Sequence, residues 1–149
     1  MELSRTSPNR FELTNARRPA DQVASSSAPE KTARVLVVTD NEDVRDELRW
    51  AFSTDVEVVL AREAREAWVA MQEDVPSMVV VDLQTGSAGG FALSHDMDAT
   101  EHLRSVPVLI LLEREQDAWL AGQAGADAFL VKPVEAGTIV ARANEILGR

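Results

Sequence analysis

Ser77-Met78-Val79-Val80-Val81-Asp82 is an apolar run that ends on a carboxylate. Its middle residues do not alternate with polar ones, so a strand made of them must be buried on both faces. That is the pattern of a parallel sheet covered by helices above and below. Working outward, Arg34-Val35-Leu36-Val37-Val38 is a second run of the same kind. Between the two, Asp40-Asn41 opens a helix with Val44, Leu48, Ala51 and Phe52 on one face. Val56 to Leu60 reads as a strand, and Ala64, Ala67, Trp68 and Met71 form the apolar stripe of the next helix. Beyond Asp82 the alternation continues. A helix is expected over Phe91 to Arg104, a strand over Val106 to Leu112 and a poor helix over Glu113 to Ala124, which Gly122 weakens. A strand over Ala126 to Val131 and a helix over Val134 to Leu147 close the series. Five strands alternating with helices predict a doubly wound α/β fold with a five-stranded parallel sheet in the order 2-1-3-4-5.

The 149 residues suit one domain of ordinary size. Residues 1–33 contain Pro8, Pro19, Pro29 and Ser25-Ser26-Ser27, without useful periodicity. They are read as a disordered N-terminal arm, and residues 34–149 as the folded domain. The arm carries Arg10, Arg17 and Arg18, which can fold back on an acidic body. No apolar h-region and no run of about 18 apolar residues is present, so neither a secretory signal nor a membrane span is expected. The chain has no cysteine, which removes disulfides and thiolate chemistry and suits a reducing, cytoplasmic setting. Its formal net charge is −10, and residues 34–149 carry ten basic against twenty-one acidic side chains. A body of that sign repels nucleic acid, so no nucleic-acid partner is expected.

In the predicted strand order, ligands sit beyond the carboxyl ends of the strands, beside the switch between strands one and three. The residues found there are Asp40, Asp82, Leu112 with Glu113, and Lys132. A carboxylate ending a buried run needs cations or donors nearby. Two carboxylates on neighbouring strand ends can share Mg²⁺, which accepts one or two of them together with waters and a phosphate oxygen. Lys132 is the one lysine of residues 34–149, and its ammonium is a compact charge able to meet a carboxylate or a phosphoryl group. Each residue alone has an ordinary explanation, as a cap or a solvated strand end. Three of them at three predicted strand ends favour a site.

These residues resemble the response-regulator receiver domains of two-component signalling. The resemblance covers Arg34 to Arg149. It rests on Val35-Leu36-Val37-Val38-Thr39-Asp40-Asn41, on Val80-Val81-Asp82 with Gly90 eight residues on, and on Ala124-Gly125-Ala126-Asp127-Ala128-Phe129-Leu130-Val131-Lys132-Pro133. It implies Asp82 as phosphoacceptor. It implies a Mg²⁺ held by Asp40, Asp82 and the backbone carbonyl of Gln84, and Lys132 touching the phosphoryl group. It also implies a cis Lys132–Pro133 bond and a switching aromatic at Phe129. The phosphodonor would be a histidine kinase or a phosphotransfer protein.

The sequence departs from the family pattern in four places. Thr39 stands where a second acid is usual, which should weaken Mg²⁺ binding. Leu112 stands where a Ser or Thr hydroxyl bonds the phosphoryl group, and leucine has no donor. Glu113 replaces a small residue. It either blocks the site and reaches Lys132, imitating a phosphoryl group, or turns to solvent. The fourth-helix segment is short, and Trp119 on it is read as facing the core, with a partner anchor as the alternative.

The chain is therefore expected to be an atypical, stand-alone receiver with weakened phosphate-dependent switching, acting through an unidentified protein target. A fully working Mg²⁺-dependent receiver is the alternative. No output domain is expected beyond Arg149, and a homodimer stays open. Catalysis is not expected beyond self-phosphorylation on Asp82. A haloacid-dehalogenase-like phosphatase needs a second aspartate where Gln84 stands, and a dinucleotide enzyme needs a glycine-rich turn that Thr39-Asp40-Asn41-Glu42 lacks.

Overall fold

A computed structural model describes residues 31–82 and 89–149. Its elements are β1 (Ala33–Val38), α1 (Glu42–Ala51), β2 (Val56–Ala61), α2 (Ala64–Glu73), β3 (Met78–Asp82), α3 (Gly89–Asp98) and β4 (Val108–Leu112). A 3-10 turn (Glu115–Asp117), α4 (Ala118–Gln123), β5 (Ala128–Val131) and α5 (Ala136–Leu147) complete the order. Every strand pair is parallel, and the sheet runs β2-β1-β3-β4-β5, the doubly wound order the sequence predicts. Most of the expected arm, the loop 83–88 and Gln84 lie outside the described residues. Ala33 opens β1, and the Thr32 N–H donates to the Asp55 carbonyl at 2.8 Å.

The unbroken apolar runs divide by alternation between two cores. Leu36, Val38, Val79, Val81, Ile110 and Leu112 face α2, α3 and α4, where Ala67, Met71, Leu93, Met97 and Ala121 meet them. Val35, Val37, Met78, Val80, Leu109 and Leu111 face α1 and α5, against Leu48, Ile139 and Ala143. Both faces are therefore covered, as a parallel sheet requires. Among the described residues no helix is long and apolar enough to cross a membrane.

Local chemistry fixes the element ends. Asn41 caps α1: its Oδ1 accepts the N–H groups of Asp43 (2.9 Å) and Val44 (3.1 Å), with Glu42 and Asp43 in the first turn. Asp40 is thus released from capping and stays exposed at the rim. α3 stops at Asp98, short of the predicted Arg104. Thr100 Oγ1 donates to the Asp96 carbonyl (2.7 Å) and Arg104 Nε to the Asp98 carbonyl (3.1 Å), so side chains compete for the end of the helix. α4 has only six residues. It ends in a Schellman motif, with Ala126 N–H donating to Ala121 O (3.0 Å) and Gly125 N–H to Gly122 O (3.1 Å). Gly125 sits at φ +85°, and a Cβ there would lie 3.1 Å from Asp98 Cβ, which accounts for glycine in that turn. Trp119 does not face the core: it is 69% exposed, because so short a helix buries little beyond Ala121.

Candidate functional site

Register decides which side chains meet at the carboxyl edge. Val38 pairs with Val81, Asp82 with Leu111, and Leu112 with Val131. Val38, Val81, Leu112 and Val131 all belong to the core layer beneath α2–α4. Their successors, Thr39, Asp82, Glu113 and Lys132, therefore turn toward the opposite, α1–α5 side. Four residues far apart in sequence are brought to one corner by strand parity alone.

The contacts there are short. Asp82 is 2% exposed and Thr39 is fully buried. Thr39 Oγ1 donates to Asp82 Oδ2 at 3.0 Å and itself accepts the Asn41 N–H at 3.1 Å. Lys132 Nζ donates to Asp82 Oδ1 at 2.7 Å. The same nitrogen lies 2.5 Å from Glu113 Oε2, whose side chain is 40% exposed. A carboxylate this deep is destabilising without partners, and here both oxygens have one. Burial pulls the Lys132 ammonium down, but its bonds to Asp82 and Glu113 outweigh that and hold its pKa above the ordinary lysine value. The Lys132 N–H donates to the Leu112 carbonyl at 2.7 Å, which locks the end of β5 to β4. The Lys132–Pro133 bond is cis, as the resemblance implies.

Asp82, Lys132 and Glu113 are thus brought together, and of the two directions open to Glu113 the structure takes the one toward Lys132. Asp40 stands at the rim, where it adds to the field on Arg62, which is paired with Glu42 at 2.6 Å. Leu112 is fully buried on the other face of the sheet, among residues that include Ala121. Phe129, 40% exposed on the edge strand β5, borders a groove with Ala118, Gly122 and Arg142. His95 and His102 are exposed, and His102 lies in the turn after α3 rather than on the helix. Two participants escape the sequence reading. Thr39 reads there only as a missing acid, yet its hydroxyl is a direct partner of Asp82. Arg45 Nη1 donates to the Thr39 carbonyl at 3.2 Å. The available signal was its place one turn into α1, over the end of β1.

The donors suit Mg²⁺ only in part. Asp82 and Asp40 are ligands of the right kind, since the ion takes one or two carboxylates and otherwise keeps water. The third acid is missing: Thr39 spends its proton on Asp82, and among the described residues no group of three acids or imidazoles is placed to hold a metal.

Comparison with known proteins agrees with this fold. Residues 35–144 match the family model of the response regulator receiver domain. The response regulator Rre1 of Synechocystis is 32% identical over 120 residues, covering 77% of this chain and 52% of that protein. The response regulator MprA of Mycolicibacterium vanbaalenii is 34% identical over 119 residues, covering 78% and 51%. The chain thus spans about half the length of these curated relatives. A putative response regulator from Chloroflexus aurantiacus superposes with a TM-score of 0.71 at 26% identity, covering 80% of this chain and all of that one. The chemotaxis response regulator CheY4 of Vibrio cholerae, at 22% identity and a TM-score of 0.72 over 76% of this chain and 98% of its own, shares the fold.

Proposed function

This chain belongs to the response regulator receiver family, and from that premise we propose that it is an atypical receiver. Asp82 is its phosphoacceptor, and the coupling of phosphate to output is weakened. The observation that carries the reading is the 2.7 Å bond from Lys132 Nζ to the buried Asp82 carboxylate at the switch point of the sheet. A carboxylate oxygen has a second lone pair beyond the one accepting a hydrogen bond. One Asp82 oxygen attacks phosphorus, forming the O–P bond as the bond to the donor breaks and the leaving group departs with its electron pair. The donor is a phosphohistidine of a histidine kinase or phosphotransfer protein, or a small acyl phosphate. Lys132 neutralises charge on the transferring group. Asp40 and Asp82 would hold Mg²⁺, which would supply further charge neutralisation at weakened affinity because Thr39 replaces an acid. The backbone carbonyl of Gln84 is the remaining proposed ligand.

The weakened switch follows from Leu112. With no hydroxyl at the end of β4, no hydrogen bond can draw that segment toward a phosphoryl oxygen. Signalling then passes through protein partners that read the body of the domain, a surface that changes little when Asp82 is modified. Intact mass after incubation with Mg²⁺ and acetyl phosphate tests the acceptor. One added phosphoryl group, absent in Asp82→Asn, is expected. No addition, under conditions that modify an ordinary receiver, would leave a protein-binding module that works without phosphate.

A further inference from the structure

Resting on the reading of Asp82 as phosphoacceptor, we infer that Glu113 is an internal competitor for the phosphoryl group, a carboxylate seated on Lys132 that an incoming phosphoryl must displace. Lys132 Nζ touches two acids at once, Asp82 Oδ1 at 2.7 Å and Glu113 Oε2 at 2.5 Å. The second contact is built into the sheet. Leu112 pairs with Val131, and the Lys132 N–H is bonded to the Leu112 carbonyl, so Glu113 and Lys132 are neighbours across the ends of β4 and β5. The adjacent cation does not draw Glu113 away, because Arg114 is paired with Asp117 at 3.0 Å.

An ammonium has three donors, and two are taken. A phosphoryl group transferring to Asp82 brings anionic oxygens to the same nitrogen. It meets there both an occupied donor and a like charge. Half-exposure of the Glu113 side chain lets it swing to water, so entry is slowed rather than closed. The resting site already carries a second anion on Lys132, which is the charge arrangement phosphorylation would otherwise create.

The test is the initial rate of phosphoryl uptake from acetyl phosphate with Mg²⁺, read by intact mass on the full chain. Wild type is compared with Glu113→Gln, Glu113→Ala and Glu113→Asp, each checked for folding by circular dichroism. Gln keeps the shape and removes the charge, Ala removes both, and Asp keeps the charge. The Gln and Ala variants are expected to be modified about tenfold faster, with Asp within about twofold of wild type. Uptake by Gln or Ala with none by wild type is the stronger form of the same result. Equal rates in all four would overturn the role of Glu113 and leave Asp82 standing as acceptor. No uptake by any of them would overturn the acceptor reading, and this inference with it.

Discussion

Lys132 holds two carboxylates, and removing it leaves one of them buried with a hydroxyl in place of a cation. Lys132→Met is therefore expected to lower the unfolding free energy by about 2–3 kcal/mol, read from urea titration. The same variant gives a pH signature. The folded-state pKa of Lys132 lies above the ordinary value of 10.5. Its contribution is therefore fully present below that value and is lost as pH rises through the higher, folded one. The stability gap between wild type and Lys132→Met should be flat from neutrality to about pH 10 and narrow above it. A gap that narrows already near pH 8 would contradict the pairing. At the neighbouring strand end, Thr39→Asp restores the missing acid. Calorimetry should show Mg²⁺ binding tightened by about tenfold, since the ion gains a charged oxygen ligand where it had a hydroxyl. The ion-free protein should at the same time become less stable, because a like charge replaces the donor to Asp82. Asp82 and Lys132 were legible in the sequence because each terminates an apolar run, which places it at the carboxyl edge. The direction of Glu113 was not legible. It depends on which residue of β4 pairs with Val131, and that register is a tertiary fact.

The second departure from the family pattern lives in β4 and α4. Leu112 packs into the core layer that includes Ala121 of α4, so a hydroxyl cannot be restored there at no cost. Leu112→Thr is expected to lose about 2–4 kcal/mol by urea unfolding, from lost apolar burial and a poorly filled space. α4 itself has six residues, a glycine next to its last position and no side-chain cap. Its amides, residues 118–123, should exchange with solvent at least about tenfold faster than those of β3, which is buried throughout. The pattern of apolar residues located the five strands and five α-helices of the described residues. It misjudged the ends of α3 and β5, where Thr100, Arg104 and Asp127 compete for the backbone. Asp127 Oδ2 accepts the Val108 N–H at 2.8 Å, and β5 begins only after that residue, at Ala128. Trp119 was misread for a related reason: a helical stripe implies a buried face only when the helix is long enough to cover the sheet.

At the scale of the whole molecule Arg149 is tied to Thr32, the residue before β1. Asp55, the residue before β2, accepts hydrogen bonds from Ser53, Arg149 and Thr32, and these hold its carboxyl well below the usual carboxylate range. A depressed folded pKa gives stability that is present above the ordinary carboxylate value and lost as pH falls through the lower one. Arg149→Ala should therefore lower the urea midpoint at pH 7, with the difference shrinking toward pH 2. Amide NMR of the chain before and after acetyl phosphate with Mg²⁺ reads the acceptor and the switch at once. Shifts are expected at residues 39–41, 82, 113 and 132, with 118–123 and Phe129 unmoved. Shifts spreading through α4 and β5, or none around Asp82, would contradict the proposed function.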